Sequence, residues 1–262
     1  LEKNLSVDKV DVSVVAKMHD VSIAKIILGQ GINNGQLDLK ADKHGLDING
    51  DVKLGKFPAS FEWRRNFADE APFRSSYKIA SHIDNIQSLS DLGVNLAPLH
   101  GDFIEGGVGA NIQLTTQDGG KGQVQVRLDL ADVSLNAPAM GWSKKVGVAG
   151  GAQVDLEIDG TRLIDIPRFS LAAGDLRING SASYAEDGTG LDKIDITQLS
   201  YDRTELTGVF IPGHDGGWTV SFHGPSFDLT PMFEDLFKAP PDDEDRFGLK
   251  LSLSAKIDKV WI

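Results

Sequence analysis

The residues best suited to chemistry in this sequence are its six histidines, since an imidazole can act as a general base or ligate a metal near neutral pH. They are His19, His44, His82, His100, His214 and His223. None forms a His-x-x-x-His pair or any other zinc spacing, and each stands apart from the next. They read as scattered surface or loop side chains. Ser226 lies in Gly224-Pro225-Ser226-Phe227-Asp228, which lacks the second glycine of a nucleophile elbow and suits a strand end leading into a helix. Gly29-Gln30-Gly31 continues as Ile32-Asn33-Asn34, not as a dinucleotide fingerprint, and no Walker loop occurs. Asp242-Asp243-Glu244-Asp245 follows Pro240-Pro241 without the glycine turn or ligand spacing of a calcium loop, so it reads as a solvated loop. Asp and Glu total 38, but nothing singles out the two carboxylates of a glycosidase. Trp63-Arg64-Arg65 and Trp142-Ser143-Lys144-Lys145 place an aromatic beside cations. Both are expected to be rim tryptophans over strands, flanked by solvated charges. No catalytic cluster, metal site or cofactor site is predicted.

The composition narrows the partners. A formal charge of −12 and no basic segment argue against nucleic acid, whose phosphates demand a cationic face. The same charge disfavours electrostatic adsorption to an anionic membrane. Any relation to a membrane must run through apolar contact. There is no cysteine, which excludes disulfides, thiolate metal sites and cysteine nucleophiles. No apolar run approaches the ~18 residues of a membrane-spanning helix.

The elements that must carry these residues are strands almost everywhere. Period-two alternation is the dominant signal. Val124, Val126, Leu128 and Leu130 alternate with polar residues, as do Val154, Leu156 and Ile158, and as do Leu249, Leu251, Leu253, Ala255 and Ile257. Shorter runs occur at Leu37/Leu39/Ala41, Leu46/Ile48, Ile112/Leu114, Leu176/Ile178, Ile194/Ile196 and Trp218/Val220/Phe222. Each such strand has one dry and one wet face. Asp118-Gly119-Gly120, Asp187-Gly188 and Asp215-Gly216-Gly217 separate alternating runs and predict antiparallel hairpins. About fourteen strands follow from this spacing. Helices are few. Ile83, Ile86, Leu89 and Leu92 recur every third residue ahead of Gly93, and Thr230 with Pro231 predicts a second helix running to Ala239. Val14 to Ile27 reads as a third helix or an irregular strand. An internal echo links Gly45-Leu46-Asp47-Ile48-Asn49-Gly50-Asp51-Val52 with Asp175-Leu176-Arg177-Ile178-Asn179-Gly180-Ser181-Ala182, and more faintly with Leu206-Thr207-Gly208-Val209. It marks either a repeated strand unit or only the common chemistry of bent strands.

Two or three short helices cannot cover a sheet of this size, and an apolar face must be hidden. A closed β-sandwich, serving as a structural module for a protein or glycan partner, would hide it against a second sheet. An open trough would hide it against a ligand, and acyl chains suit such a surface because each buried methylene gains roughly 0.8 kcal/mol.

Several stretches resemble AsmA-like, YhdP-type bacterial envelope proteins. They are Val124 through Ala131-Asp132 to Met140-Gly141-Trp142-Ser143-Lys144-Lys145, then Ile164-Asp165-Ile166-Pro167-Arg168-Phe169-Ser170-Leu171 with Leu176-Arg177-Ile178-Asn179-Gly180, and Trp218-Thr219-Val220-Ser221-Phe222-His223-Gly224-Pro225-Ser226-Phe227-Asp228-Leu229-Thr230-Pro231. The last carries the family's strand, glycine and Asp-Leu-x-Pro helix entry. The short helix near Ser88 to Gly93 also has a counterpart there. The resemblance covers most of residues 35–238. It implies an all-β chain whose long, twisted, mostly antiparallel sheet curls into an open apolar groove with two or three short helices. Residues 1–262 would form one continuous β-groove segment of a longer chain, with possible sub-repeats 1–120 and 121–262. Relatives of this kind are non-enzymatic. They stand in the periplasm of Gram-negative bacteria, anchored in the inner membrane, and carry phospholipid towards the outer membrane. The expected partners are phospholipid acyl chains and neighbouring β-groove segments, with membrane contact through parts outside these residues and no nucleic acid. The expected groove lining is Leu37, Leu39, Leu46, Ile48, Ile112, Leu114, Val124, Val126, Leu128, Leu130, Val154, Leu156, Ile158, Leu176, Ile178, Val220, Phe222, Leu249, Leu251 and Leu253.

Overall fold

The computed structural model describes residues 12–27, 30–68, 70–92, 103–160, 162–185, 190–213, 216–231 and 250–262. The first five strands are β1 (Val14–Ile27), β2 (Gln30–Ala41), β3 (Gly45–Leu54), β4 (Phe57–Asn66) and β5 (Ser75–Ile83). A 3-10 helix (Ile86–Leu92) precedes β6 (Ile104–Gly106), β7 (Val108–Thr116), β8 (Lys121–Asp129) and β9 (Val133–Ala137). A single 3-10 turn, Pro138–Met140, then leads to β10 (Trp142–Lys144). The remaining strands are β11 (Gly150–Asp159), β12 (Arg162–Ala173), β13 (Leu176–Tyr184), β14 (Leu191–Tyr201), β15 (Thr204–Pro212), β16 (Trp218–Asp228) and β17 (Leu251–Trp261).

Fourteen of these make one sheet in the order β1-β2-β3-β4-β5-β7-β8-β11-β12-β13-β14-β15-β16-β17, which does not close on itself. The other three form a small antiparallel sheet, β10-β9-β6. The fold is therefore all-β and built on one large open sheet, not on two facing sheets of a closed sandwich. Every neighbouring pair in the large sheet is antiparallel except the last. β16 and β17 run parallel, which a hairpin cannot achieve and which requires a long return connection. Residues 229–250 supply it.

Local chemistry explains these elements. Asp118-Gly119-Gly120 joins β7 to β8 as predicted, with the Gln117 N–H donating to the Lys121 carbonyl at 2.8 Å. Asp187-Gly188 lies outside the described residues, although β13 and β14 on either side pair antiparallel. Val14 to Ile27 is the irregular strand, its register against β2 shifting three times. The three-residue spacing of Ile86, Leu89 and Leu92 is the period of a 3-10 helix, so all three fall on one side and are buried. Ile83, at the same spacing, instead ends β5.

Two prolines sit inside central strands, where a missing N–H would ordinarily break the ladder. Both fall at bulges. β12 carries an extra residue between Ile166 and Phe169, the stretch holding Pro167. β16 carries one between His223 and Ser226, the stretch holding Pro225. Further shifts occur in β14 between Ile196 and Leu199, and in β2 between Asn33 and Gln36. Bulges bend the strand that carries them and increase its twist.

The helix entry after β16 differs from expectation in its cap. Asp228, not Thr230, is the organising side chain. Its carboxylate accepts from the Thr230 N–H at 3.0 Å and from Arg203 at 2.5 Å, while its own N–H donates to the Thr204 hydroxyl at 3.1 Å. Asp228 is only 6% exposed. The Thr230 hydroxyl and N–H, helped by Arg203, hold its carboxyl below the usual aspartate range despite burial. Met232 and the remainder of the predicted helix lie outside the described residues.

A carboxyl whose folded proton affinity is lowered stabilises the fold above the ordinary aspartate range, and that contribution is lost as pH falls through the depressed folded value. Asp228→Asn should therefore lower the urea midpoint near pH 7, and the gap to the unmodified chain should narrow steadily below about pH 4. An equal gap at pH 3 and pH 7 would contradict this role.

Candidate binding face

Residues paired directly across neighbouring strands project to the same side of a sheet. Followed through the register, one row crosses all fourteen strands: Met18, Leu37, Gly50, Phe61, Ile79, Ile112, Val126, Val154, Phe169, Gly180, Ile196, Gly208, Phe222 and Ala255. No member carries a polar side chain. At ~4.8 Å per strand the row is roughly 60 Å long. A second row on this face holds Leu39, Ile48, Trp63, Tyr77, Leu114 and Val124, then Leu156. A third runs Val52, Ala59, Ser81, Ala110, Leu128, Ala152, Leu171, Ile178, Leu199, Leu206. Towards β17 a shorter row joins Ile166, Ala182, Ile194, Phe210, Val220 and Leu253.

The opposite face is polar. The adjacent register line reads Lys17, Asp38, Asn49, Glu62, Lys78, Gln113, Gln125, Asp155 and Arg168. Arg168 and Asp155 form an ion pair at 2.6 Å, and Lys78 and Glu62 one at 3.4 Å.

The residues expected to line a groove are distributed as follows. Leu37, Val126, Val154 and Phe222 stand in the central row. Leu39, Ile48, Leu114, Val124 and Leu156 stand in the second, Leu128 and Ile178 in the third, and Ile112 and Val220 in rows already given. Leu46 and Ile158 occupy the margin beyond the second row, where the pairing also puts Arg65, Ser75, Thr116 and Gly122. Leu130 follows β8 and is buried. Leu176 packs with Trp142, Ala173 and Tyr201. Leu253 is 67% exposed, Leu251 pairs through its backbone with Trp218, and Leu249 lies outside the described residues. Alternation alone missed Phe61, Ile79, Phe169 and Phe210, while Ile196, read as alternating with Ile194, takes its place in the central row. Phe169 follows a bulge that shifts the period by one residue, so strict period-two reading cannot carry through to it.

The echoed glycines all fall in the central row. Gly50 pairs with Phe61, Gly180 with Phe169 and Gly208 with Phe222. At Gly208 a Cβ would stand 2.7 Å from Phe222 Cδ1, and at Gly180 one would stand 2.5 Å from Phe169 Cζ. In both places the ring occupies the space a side chain on the glycine would take.

Exposure changes along the face. Leu37, Phe61 and Ile79 are 2%, 1% and 2% exposed, whereas Ile112, Val126, Val154, Phe169, Ile196 and Phe222 are only half-buried. The covered part belongs to one cluster that includes Ile86, Leu89 and Leu92 of the 3-10 helix together with Ile104 and Val133 of the small sheet. At the β3–β4 turn a Cβ on Gly55 would lie 3.2 Å from Leu92 Cδ2, so the helix packs against that hairpin.

The small sheet is held by two residues expected at a solvated rim. Trp142 is 8% exposed, and its indole N–H donates to Asp175 at 2.8 Å. Lys144 is 3% exposed, and its ammonium donates to the carbonyls of Leu130 at 2.6 Å and Val133 at 2.7 Å. Desolvation pushes this ammonium below the usual lysine range, with Asp129 and Asp132 acting against the shift. The expectation failed here because β10 is only three residues long and lies in a second layer. Trp63 is nearer to it, half-buried and stacked on Tyr77 at 5.5 Å, with Arg64 directed to the polar face.

No reactive constellation assembles among the described residues. Among the described residues no group of three or more His, Asp or Glu could hold a metal. The Ser226 hydroxyl donates to the Arg203 carbonyl at 2.7 Å. Shallow depressions around Asp51, Ser60, Ala80 and Asn111, and around Thr207, His223 and Pro225, lie on the polar side. No helix among the described residues is long and apolar enough to cross a membrane. No protein-family model matches the chain. No curated protein and no solved structure matches it either.

Lys144→Met should destabilise the protein by about 2–3 kcal/mol, because two charge-assisted hydrogen bonds from the ammonium to the Leu130 and Val133 carbonyls are lost. Lys145→Met, at an exposed neighbour, should stay within about 0.5 kcal/mol. Urea unfolding of both variants checks the difference.

Proposed function

We propose that the apolar face is a groove floor that holds lipid acyl chains, and that the protein is a non-enzymatic lipid carrier. The observation that carries this reading is the central row, which is free of polar side chains across fourteen strands and half-exposed from β7 to β16. An exposed strip of this size is an aggregation hazard unless something covers it. A polypeptide ligand would bring backbone N–H and C=O groups that need partners, and the face offers none away from its edges. Hydrocarbon needs none. Two chains with ~30 methylenes gain about 25 kcal/mol on leaving water. The bulges in β2, β12, β14 and β16, together with the glycines of the central row, favour a sheet that curls into a trough.

The resemblance to AsmA-like, YhdP-type proteins extends the proposal to phospholipid moved through the periplasm between inner and outer membranes, with the full-length protein anchored in the inner membrane. Neighbouring β-groove segments would continue the surface. The test is organic extraction of the purified folded protein followed by mass spectrometry. Phospholipid at near-stoichiometric amounts is expected. Val154→Asp, in the central row, should reduce it several-fold, while Gln125→Asp on the polar face should leave it unchanged. A lipid-free protein, or equal loss in both variants, would overturn the reading.

A further inference from the structure

The proposed groove is not uniform along its length. Between β2 and β5 the central row is almost fully covered, and the covering atoms belong to the chain itself. Ile86, Leu89 and Leu92 project from one side of the 3-10 helix, and they share a cluster with Phe61, Ile79, Val52 and Leu54. Ile104 and Val133 extend that cluster from the small sheet. The small sheet is itself fixed by the Lys144 ammonium on the Leu130 and Val133 carbonyls. These contacts are apolar packing that a ligand could displace only by opening the core. Beyond β7 the small sheet packs on the third row, where Leu135, Ala137 and Trp142 meet Leu171, Ile178 and Leu199, while Ile112, Val126, Val154, Phe169, Ile196 and Phe222 of the central row stay half-buried. There Phe169 and Phe222 occupy the space that side chains on Gly180 and Gly208 would take, which keeps the floor low and leaves room above it.

From this asymmetry we infer that acyl chains seat on the β8–β16 stretch, over Val126, Val154, Phe169, Ile196 and Phe222, and that the Ile86–Leu92 helix is a plug closing the β3–β5 stretch to them. The inference rests on the acyl-chain reading of the face. The strands from β7 to β16 span roughly 35 Å. That is about twice the ~15 Å that one leaflet of acyl chains occupies in a bilayer core. The stretch can thus hold chains laid across the strands without the covered half. The face is then a blind-ended site within this chain, open towards β17 and stopped at β5.

The test uses the unmodified chain loaded with a phospholipid that carries a photoactivatable diazirine at the end of one acyl chain, with adducts mapped by mass spectrometry. Adducts are expected within residues 121–228, concentrated near Phe169, Ile196 and Phe222, and at least tenfold fewer within residues 45–83. In the Leu89→Ala/Leu92→Ala variant, adducts should spread to Phe61 and Ile79. Equal labelling of both stretches in the unmodified chain would overturn the plug while leaving the acyl-chain reading intact. A variant map identical to that of the unmodified chain would overturn the plug as well. No adducts anywhere would overturn both.

Discussion

Cross-strand register is the constraint on which this structure depends. Each of thirteen successive ladders in the large sheet pairs an apolar residue or a glycine with another on the same face, from Met18 to Ala255. A slip of one residue at any ladder would exchange that strand's faces and drop a polar side chain such as Asp155 or Gln125 into the row. Antiparallel hairpins protect the register cheaply, because short turns leave little freedom to slide. The last strand is different. β17 returns parallel to β16 after a long connection, so its register is set by pairing alone.

An open sheet of fourteen strands with one apolar side poses a physical problem that closed folds avoid. Part of the problem is met internally. A 3-10 helix with three buried apolar residues covers the β3–β5 part of the face, and a three-stranded sheet anchored by a buried lysine packs on Leu171, Ile178 and Leu199 further along it. Lys144 shows how polar and apolar chemistry cooperate there. A buried ammonium is costly alone, yet here it donates to the Leu130 and Val133 carbonyls, and so ties the second layer to the first. The proposed acyl chains would meet the remainder of the problem.

Curvature and flatness are set by small local devices. Bulges hold Pro167 and Pro225 where a regular ladder could not accommodate them. Glycines opposite phenylalanines let rings lie on the floor of the face. These features explain the echo between Gly45–Val52 and Asp175–Ala182. The shared glycine of each copy reaches the same row from strands that run in opposite directions, so what repeats is a bend at a fixed height in the sheet.

Strand identity, the dry and wet faces and the β7–β8 hairpin were legible in the sequence, because alternation and turn chemistry are local properties of consecutive residues. So was the spacing of Ile86, Leu89 and Leu92, whose period of three already belongs to a 3-10 helix. Tertiary structure alone decided the rest. Phe169 joins the central row only because a bulge shifts the period, and a bulge is defined by the partner strand. Trp142 and Lys144, which look like rim residues in isolation, are buried because a three-residue strand stacks in a second layer. The parallel pairing of β17 and the covering of Phe61 by residues 86–92 likewise join positions far apart in the chain. Such contacts are fixed by packing between elements, and no local pattern encodes them.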